Sequence, residues 1–315
     1  MSQNRSTKFS DPANVKRSQK LLFTTFNCAK SQVIPMMDSQ RIKDDSLIMA
    51  LTGLAGGMVN NGSTCGVVIG SGISLAMLRD KELAGKWTDW DVVQLLLEIK
   101  EHVNWFEGKY GTSLCRERPE LTHEKITVLG LLNPIKAKGC VSRASASMDR
   151  LSQTPRKQDD LINAHEKTGE VLWCEHCAAN VLAKIRQETG IGSLFLERVS
   201  IALDGGIGLN GGGCGALAGG IMALGLAFAL DTSQLDPTQL RNVFRSMDAM
   251  FFRKASQLTN GFIDQFQFLE CSRLTGKNFA DWEEFRTQRS SNACDQINTF
   301  VSDTTIQIIQ NAGMG

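Results

Sequence analysis

The residues best able to do chemistry in this chain are its nine cysteines: Cys28, Cys65, Cys115, Cys140, Cys174, Cys177, Cys214, Cys271 and Cys294. Thiolates are nucleophiles, they form disulfides, and as soft ligands they suit zinc and iron–sulfur clusters. Their spacing is ordered. Cys28 to Cys65 spans 37 residues, and so does Cys177 to Cys214. Cys65 to Cys115 spans 50 against 57 for Cys214 to Cys271, and Cys115 to Cys140 spans 25 against 23 for Cys271 to Cys294. Eight cysteines thus form two sets of four in one order, and only Cys174 has no counterpart. Four is the ligand number of a structural zinc site or of an all-cysteine iron–sulfur cluster. The same thiols could instead work as redox dithiol pairs, or pack as small buried hydrophobes. The residues alone leave these three readings open: cluster or metal ligand, thiol–disulfide oxidoreductase, and non-catalytic helical binding module.

Each set contains a glycine-rich loop that delivers a cysteine to an apolar run. Gly56, Gly57, Asn61, Gly62, Cys65, Gly66 and Gly70 reappear 149 positions later as Gly205, Gly206, Asn210, Gly211, Cys214, Gly215 and Gly219. That register is the signature of an internal duplication. A cysteine at a helix start feels the positive end of the helix dipole, which favours the thiolate. Cys65 and Cys214 are placed that way, and Cys214 with Cys177 is the expected reactive pair. Gly211, Gly213, Gly215 and Gly219 are the expected backbone cradle of a cofactor beside them. Residues 206–211 also fit GxGxxG, after a tempting strand at 199–203 and ahead of Asp231. The first copy has Val59 in place of Gly208 yet keeps the cysteine, so the shared feature is the loop and its thiol, not a phosphate fingerprint. Cys174-Glu175-His176-Cys177 is a CxxC without a surrounding βαβ pattern and without the following histidine of haem attachment. His176 is placed to tune the Cys177 thiolate or to ligate a metal.

The elements that must position these residues read as helices. Helical patterning covers residues 16–34, stopped by Pro35, and 41–52. Further helices are expected from Cys65 to Lys81 and, opened by a Thr88–Asp91 capping box, from there to Lys109. Another carries Cys140. In the second half, 159–188 reads as one helix carrying Cys174 and Cys177, and 193–203 as a short one. The Cys214 helix follows. Asp236-Pro237 then opens a helix to Leu258, and 281–289 and 292–310 are helical. The chain is mostly α: two tandem, homologous helical domains of about 130 residues each. The expected bounds are a flexible 1–15, a first domain 16–145, a linker 146–160 and a second domain 161–315, the polar stretch 141–160 reading as a linker or a solvated helical extension.

The 34 basic and 33 acidic residues nearly cancel, which gives no general reason to expect nucleic acid or an anionic membrane as partner. No apolar run reaches the roughly 18 residues of a membrane span, and the polar N-terminus lacks a signal core. A cytoplasmic protein is expected, with thiols kept reduced. Its counterpart would be a redox protein or a small thiol or oxidant, with a homodimer among the assemblies open to it.

Asn27-Cys28-Ala29, Cys65-Gly-x-x-x-Gly70, Cys115-Arg116 and Cys140 form one pattern. Cys177-Ala178, Cys214-Gly215-Ala216-Leu217-Ala218-Gly219, Cys271 and Cys294 repeat it. Together they resemble the C-GCAxxG-C-C family of redox-active proteins, some of which are selenoproteins. Two copies of the family's module would cover nearly the whole chain. The second is the closer match; the first has Val67 where the motif has alanine, which marks it as a candidate structural half. The resemblance implies redox chemistry on the cysteines. A related module in split-Soret cytochromes is associated with an iron–sulfur cluster, which points to Cys28, Cys65, Cys115 and Cys140, and to Cys177, Cys214, Cys271 and Cys294, as two cluster ligand sets, of 2Fe–2S type. The haem part does not carry over, because CxxCH is missing.

Overall fold

The computed structural model describes residues 12–118, 134–153, 171, 175–229 and 248–313. They form thirteen α-helices, and among them there is no β-strand. The first repeat holds α1 (Pro12–Thr25), α2 (Lys30–Ser39), α3 (Asp45–Ala50), α4 (Gly66–Glu82), α5 (Asp89–Tyr110) and α6 (Pro134–Gln153). The second holds α7 (Cys177–Thr189), α8 (Leu194–Val199), α9 (Gly215–Phe228), α10 (Asp248–Phe266), α11 (Cys271–Thr275), α12 (Trp282–Arg289) and α13 (Asn292–Gln310).

The duplication is visible in the backbone. α3 and the 3-10 turn Leu51–Leu54 recur 149 residues later as α8 and the 3-10 turn Ser200–Leu203. Both are started by a side-chain cap: Asp44 Oδ1 accepts the Leu47 N–H at 2.8 Å, and Ser193 Oγ accepts the Leu196 N–H at 3.2 Å. The chain then makes a left-handed turn. Residues 56–60 and 205–209 all have φ between +52° and +80°. Such a turn costs roughly 1–2 kcal/mol for each residue with a side chain. Met58, Val59 and Asn60 bear that cost in the first repeat, Ile207 and Leu209 in the second. Burial of Met58 and Ile207 and matching backbone bonds offset it: Ser63 N–H to Gly57 O at 3.0 Å, Gly212 N–H to Gly206 O at 2.9 Å.

The two repeats share one apolar core by exchanging partners. α4 packs on α8 and its 3-10 turn, and α9 packs on α3 and its 3-10 turn. Each cysteine helix is thus seated on the other repeat. Both are apolar on nearly every face, as a helix buried all round must be. The approach is close: a Cβ at Gly225 would stand 2.6 Å from Met49 O. Asp80 ties the exchange down, accepting from Arg198 at 2.5 Å and from Trp87 Nε1 at 2.8 Å.

The structure corrects four of the sequence-based expectations. The helix at 16–34 is broken at residues 26–29, and a second helix continues through Pro35. Phe26 is left-handed (φ 49°), and Asn27 Oδ1 accepts the Lys30 N–H at 3.0 Å, so an asparagine cap restarts the chain. In the second half the helix begins at Cys177, after extended backbone at His176, and does not run in from 159; Cys174 lies outside the described residues. Residues 194–203 form α8 and a 3-10 turn, as the helical reading of 193–203 has it, and the tempting strand at 199–203 is absent. α10 runs past Leu258 to Phe266, while Asp231 and Asp236-Pro237 lie outside the described residues. The stretch after Val141 is helical to Gln153, with Met148 and Leu151 buried in the core. The Thr88–Asp91 capping box is present, with Thr88 N–H donating to Asp91 Oδ2 at 3.0 Å.

Candidate functional site

Each glycine loop is stitched to the segment carrying the third cysteine of its set. Cys65 N–H donates to Ser113 O and Cys115 N–H to Ser63 O, both at 2.7 Å. In the second repeat Cys214 N–H donates to Leu269 O at 2.8 Å and Cys271 N–H to Gly212 O at 2.6 Å. Two cysteines 50 or more residues apart in sequence are thereby set side by side. Cys65 and Cys214 are the N-caps of α4 and α9, with near-identical backbone angles (φ −55°, ψ 129° and φ −58°, ψ 124°).

The motif glycines bring in the first cysteine of each set. A Cβ at Gly66 would stand 2.5 Å from Cys28 Sγ, and one at Gly70 2.5 Å from Ala29 O. A Cβ at Gly215 would stand 3.1 Å from Cys177 Cβ and 2.7 Å from Leu203 O, and one at Gly219 2.9 Å from Ala178 O. These four glycines let α2 and α7 lie directly against α4 and α9. Gly211 and Gly213 face elsewhere: Gly211 faces Ser272 and Asn278, while Gly213 faces Met58 and Ser63 of the other repeat's loop. α6 and α13 deliver Cys140 and Cys294. In the first repeat Cys65 acts on the ionisation of Cys28, Cys115 and Cys140, and in the second Cys214 and Cys294 act on that of Cys177 and Cys271.

Burial dominates that ionisation. It pushes the Cys28 thiol up to about 12, with Cys65 adding to it, and it raises Cys115, Cys140, Cys177 and Cys271. Cys214 is raised to about 11 by burial, which outweighs the pull of the Ala216 and Leu217 N–H groups at the helix start. The dipole-activated Cys214 thiolate expected from the sequence is therefore overridden by desolvation.

An arginine stands at each set. Arg118, 6% exposed, donates from Nη2 to Cys115 Sγ and from Nη1 to Cys140 Sγ, both at 2.8 Å, and from Nε to Cys115 O at 2.9 Å. Arg289, 5% exposed, reaches the second set from α12 and lowers the thiols of Cys177 and Cys214 against the effect of burial. The two arginines come from unrelated places in the repeat. Leu274 occupies the position in the second copy that Arg118 occupies relative to Cys115. Sequence reading missed both; the one available signal was an arginine three residues after Cys115 and another five before Cys294.

The second set also carries a buried acid. His176 Nδ1 lies 2.6 Å from Asp204 Oδ2, Asp204 Oδ1 accepts the Cys177 N–H at 2.9 Å, and the His176 ring stacks on Trp282 at 5.2 Å. Asp204 raises the Cys177 and Cys271 thiols. The first repeat has Asn27 and Ala55 at the corresponding places, and Asn27 Nδ2 donates to Leu51 O and Thr52 O.

The eight described cysteines are free thiols. Among the described residues no group of three or more His, Cys, Asp or Glu side chains stands at the separation that holds a single metal ion. No described helix is long and apolar enough to cross a membrane. The donor set is four soft sulfurs with a cation beside them, which matches in kind an anionic sulfur-ligated group. At the first set a cavity of about 50 Å³ opens between Cys28, Cys140 and Arg118, rimmed by Leu22, Phe23 and Phe26.

Comparison with curated proteins and with solved structures finds no match. A family model described as "putative redox-active protein (C_GCAxxG_C_C)" matches twice, over residues 26–145 and 175–308. Those spans contain the two stitched loops, the close-packed glycines and both sets of four cysteines, and the chain belongs to this family as two tandem copies.

Proposed function

We propose that each repeat holds an iron–sulfur cluster, of 2Fe–2S type, on its four cysteines, and that the protein transfers electrons or senses redox state through them. The observation that carries this reading is the gathering of eight thiols, seven of them buried, into two sets of four, with one buried arginine at each set. A thiol exchanging with external disulfides works best as an accessible thiolate of lowered pKa. Six of these thiols, Cys28, Cys115, Cys140, Cys177, Cys214 and Cys271, are raised by burial, which slows such exchange. A bound metal would deprotonate them outright. A cluster spreads over several atoms, so its ligands stand farther apart than those of a single ion. Cys28, Cys65, Cys115 and Cys140 would hold one cluster, and Cys177, Cys214, Cys271 and Cys294 the other.

When bound, the cluster supplies a reversible one-electron change at low cost in rearrangement. The chain's own residues do the rest. The backbone stitching of each glycine loop fixes the second and third sulfurs, and the motif glycines admit the first. The surrounding apolar core excludes water. Arg118 offers N–H groups to Cys115 and Cys140 and opposes their negative charge. Arg289 opposes the charge of Cys177 and Cys214 in the same way, against the opposing charge of Asp204. The counterpart is a redox protein or a small thiol or oxidant. Anaerobic purification followed by iron, sulfide and visible-absorption analysis tests the reading. Coloured protein with matching iron and sulfide is expected, and colourless, iron-free protein from iron-replete cells would sink it.

One observation favours a second reading. Arg118 bridges the sulfurs of Cys115 and Cys140, an arrangement that also suits a pair that closes to a disulfide with release of two protons and two electrons. Thiol counting before and after mild oxidation separates the two: a metal-free pair loses two thiols reversibly, and Cys115→Ser abolishes the loss.

A further inference from the structure

A polar cleft of about 370 Å³ lies beside the second cysteine set, within the size range of small-molecule sites. α7 and α13 form its walls and the end of α12 closes it, with Asn180, Lys184, Arg289, Asp295 and Asn298 among its lining. Asn180 is one helical turn beyond Cys177, and Asn298 one turn beyond Cys294, whose carbonyl accepts the Asn298 Nδ2 at 2.8 Å. Arg289 belongs to both places, lining the cleft and acting on the Cys177 thiol.

Two observations point to a ligand. Asn298 is 5% exposed, and its Oδ1 has no hydrogen-bond partner among the described residues. A buried amide acceptor left unpaired costs about 1–3 kcal/mol, so such an atom calls for a donor. The second observation is the matching groove of the first repeat, between α2 and α6. There α1 lies across it, and Gln19 Nε2 donates to Ser145 Oγ at 2.8 Å while Ser18 Oγ accepts from Gln32 Nε2 at 3.0 Å. Ser145 corresponds to Thr299 and Ala144 to Asn298 when Cys140 is set against Cys294. The groove one turn from the cysteines is thus, in one repeat, a receptor for amide and hydroxyl groups.

The cleft offers charges of both signs in addition. Arg289 pairs with Asp295 at 2.8 Å, and Lys184 with Asp303 at 2.7 Å. Glu175, paired with Arg286, stands at the edge. We infer that this cleft binds a small peptide-like zwitterion, a molecule carrying carboxylate, ammonium and amide groups. Arg289 and Lys184 receive its carboxylates, Asp295 and Glu175 its ammonium, and Asn298, whose Oδ1 is sealed from solvent as it stands, turns its amide into the cleft to take an amide N–H. The inference names what docks beside the second redox centre and so deepens the proposed function, although binding itself needs no redox step.

S-Methylglutathione is the probe, because it has all three groups and a blocked sulfur. Calorimetric titration of the full chain is expected to show saturable binding of one molecule per chain. Lys184→Glu and Asn298→Leu are each expected to weaken it at least ~tenfold. No binding at up to about 10 mM probe, or binding that neither variant weakens, overturns the inference. The iron assay is read on the same samples. Iron-free protein that binds the probe sinks the cluster reading and upholds the cleft, whereas iron-loaded protein that does not bind sinks the cleft and upholds the cluster.

Discussion

The two four-cysteine centres share their scaffold and differ in their electrostatics. In both, a left-handed glycine turn, two backbone hydrogen bonds and a pair of helix-packing glycines set the sulfurs. Around them the first centre has Arg118 forked onto two sulfurs and an apolar cavity, while the second has Arg289, a buried His176–Asp204 pair and a polar cleft. A duplicated backbone fixes where the sulfurs go and leaves each copy to choose the charges around them. Val67 in the first copy is 1% exposed and belongs to the shared core.

The scaffold half of this comparison breaks most visibly at the packing glycines. Gly70→Ala places a methyl 2.5 Å from the Ala29 carbonyl, a backbone atom that cannot swing aside. It should destabilise the protein by about 3 kcal/mol in denaturant unfolding. Gly219→Ala, at 2.9 Å from the Ala178 carbonyl, should cost less, about 1–2 kcal/mol. Equal costs would mean that the two helix pairs are not set at different distances.

Next is the contact between the centres. Arg116, beside Cys115, pairs at 2.5 Å with Glu270, beside Cys271, and Glu270 is only 3% exposed. Arg116→Ala leaves that carboxylate with Arg273 alone, at 4.0 Å, and should cost about 2 kcal/mol, discounted for the part-exposed guanidinium. Arg116→Ala with Glu270→Gln should recover part of it, because the stranded charge is gone. A double variant no more stable than the single one would contradict this.

Much of the scaffold was legible in the sequence, and little of the electrostatics. The 149-residue register placed α3 and α8, their 3-10 turns, and the capping positions of Cys65 and Cys214, because glycine turns and caps are local. The exchange of partners between repeats was not legible. α4 and α9 are apolar all round, so their sequences do not say which face meets which neighbour. Arg118 and Arg289 were missed because they serve equivalent sites from non-equivalent positions, and a search for repeated residues passes over them. Asp204 stands next to the glycine loop, where the first copy has Ala55, so matching the repeats passes over it as a difference. The dipole argument for Cys214 failed because desolvation is larger than the pull of a helix start.

The buried histidines sharpen the electrostatic contrast. Among the described residues His102 Nε2 has a hydrogen bond to the neutral Ser147 Oγ at 2.8 Å, and burial, helped by Arg150, lowers its pKa from 6.5 to about 3. Below about 6.5 the unfolded chain takes up a proton that the folded chain refuses until about 3. Stability should therefore fall as pH drops through that window, by up to about 1.4 kcal/mol per pH unit. His102→Gln should flatten that slope in denaturant titrations between these limits, and an unchanged slope would count against a neutral buried His102. His176, with Asp204 at 2.6 Å, has the carboxylate that His102 lacks.

The smallest effect is expected at Lys184–Asp303, whose side chains are 42% and 50% exposed. Lys184→Ala should change unfolding stability by no more than about 0.5 kcal/mol, which keeps it usable as a probe of the cleft. A larger loss would mean that α7 and α13 depend on the pair.

The central claim is that the two sets are two separate centres of one kind. Iron per chain, measured after anaerobic purification of the wild type, Cys65→Ser and Cys214→Ser, tests it most directly. Each variant is expected to keep half of the wild-type iron, with a visible spectrum of the same shape. Iron-free wild type, or loss of all the iron on removing either cysteine, would contradict it.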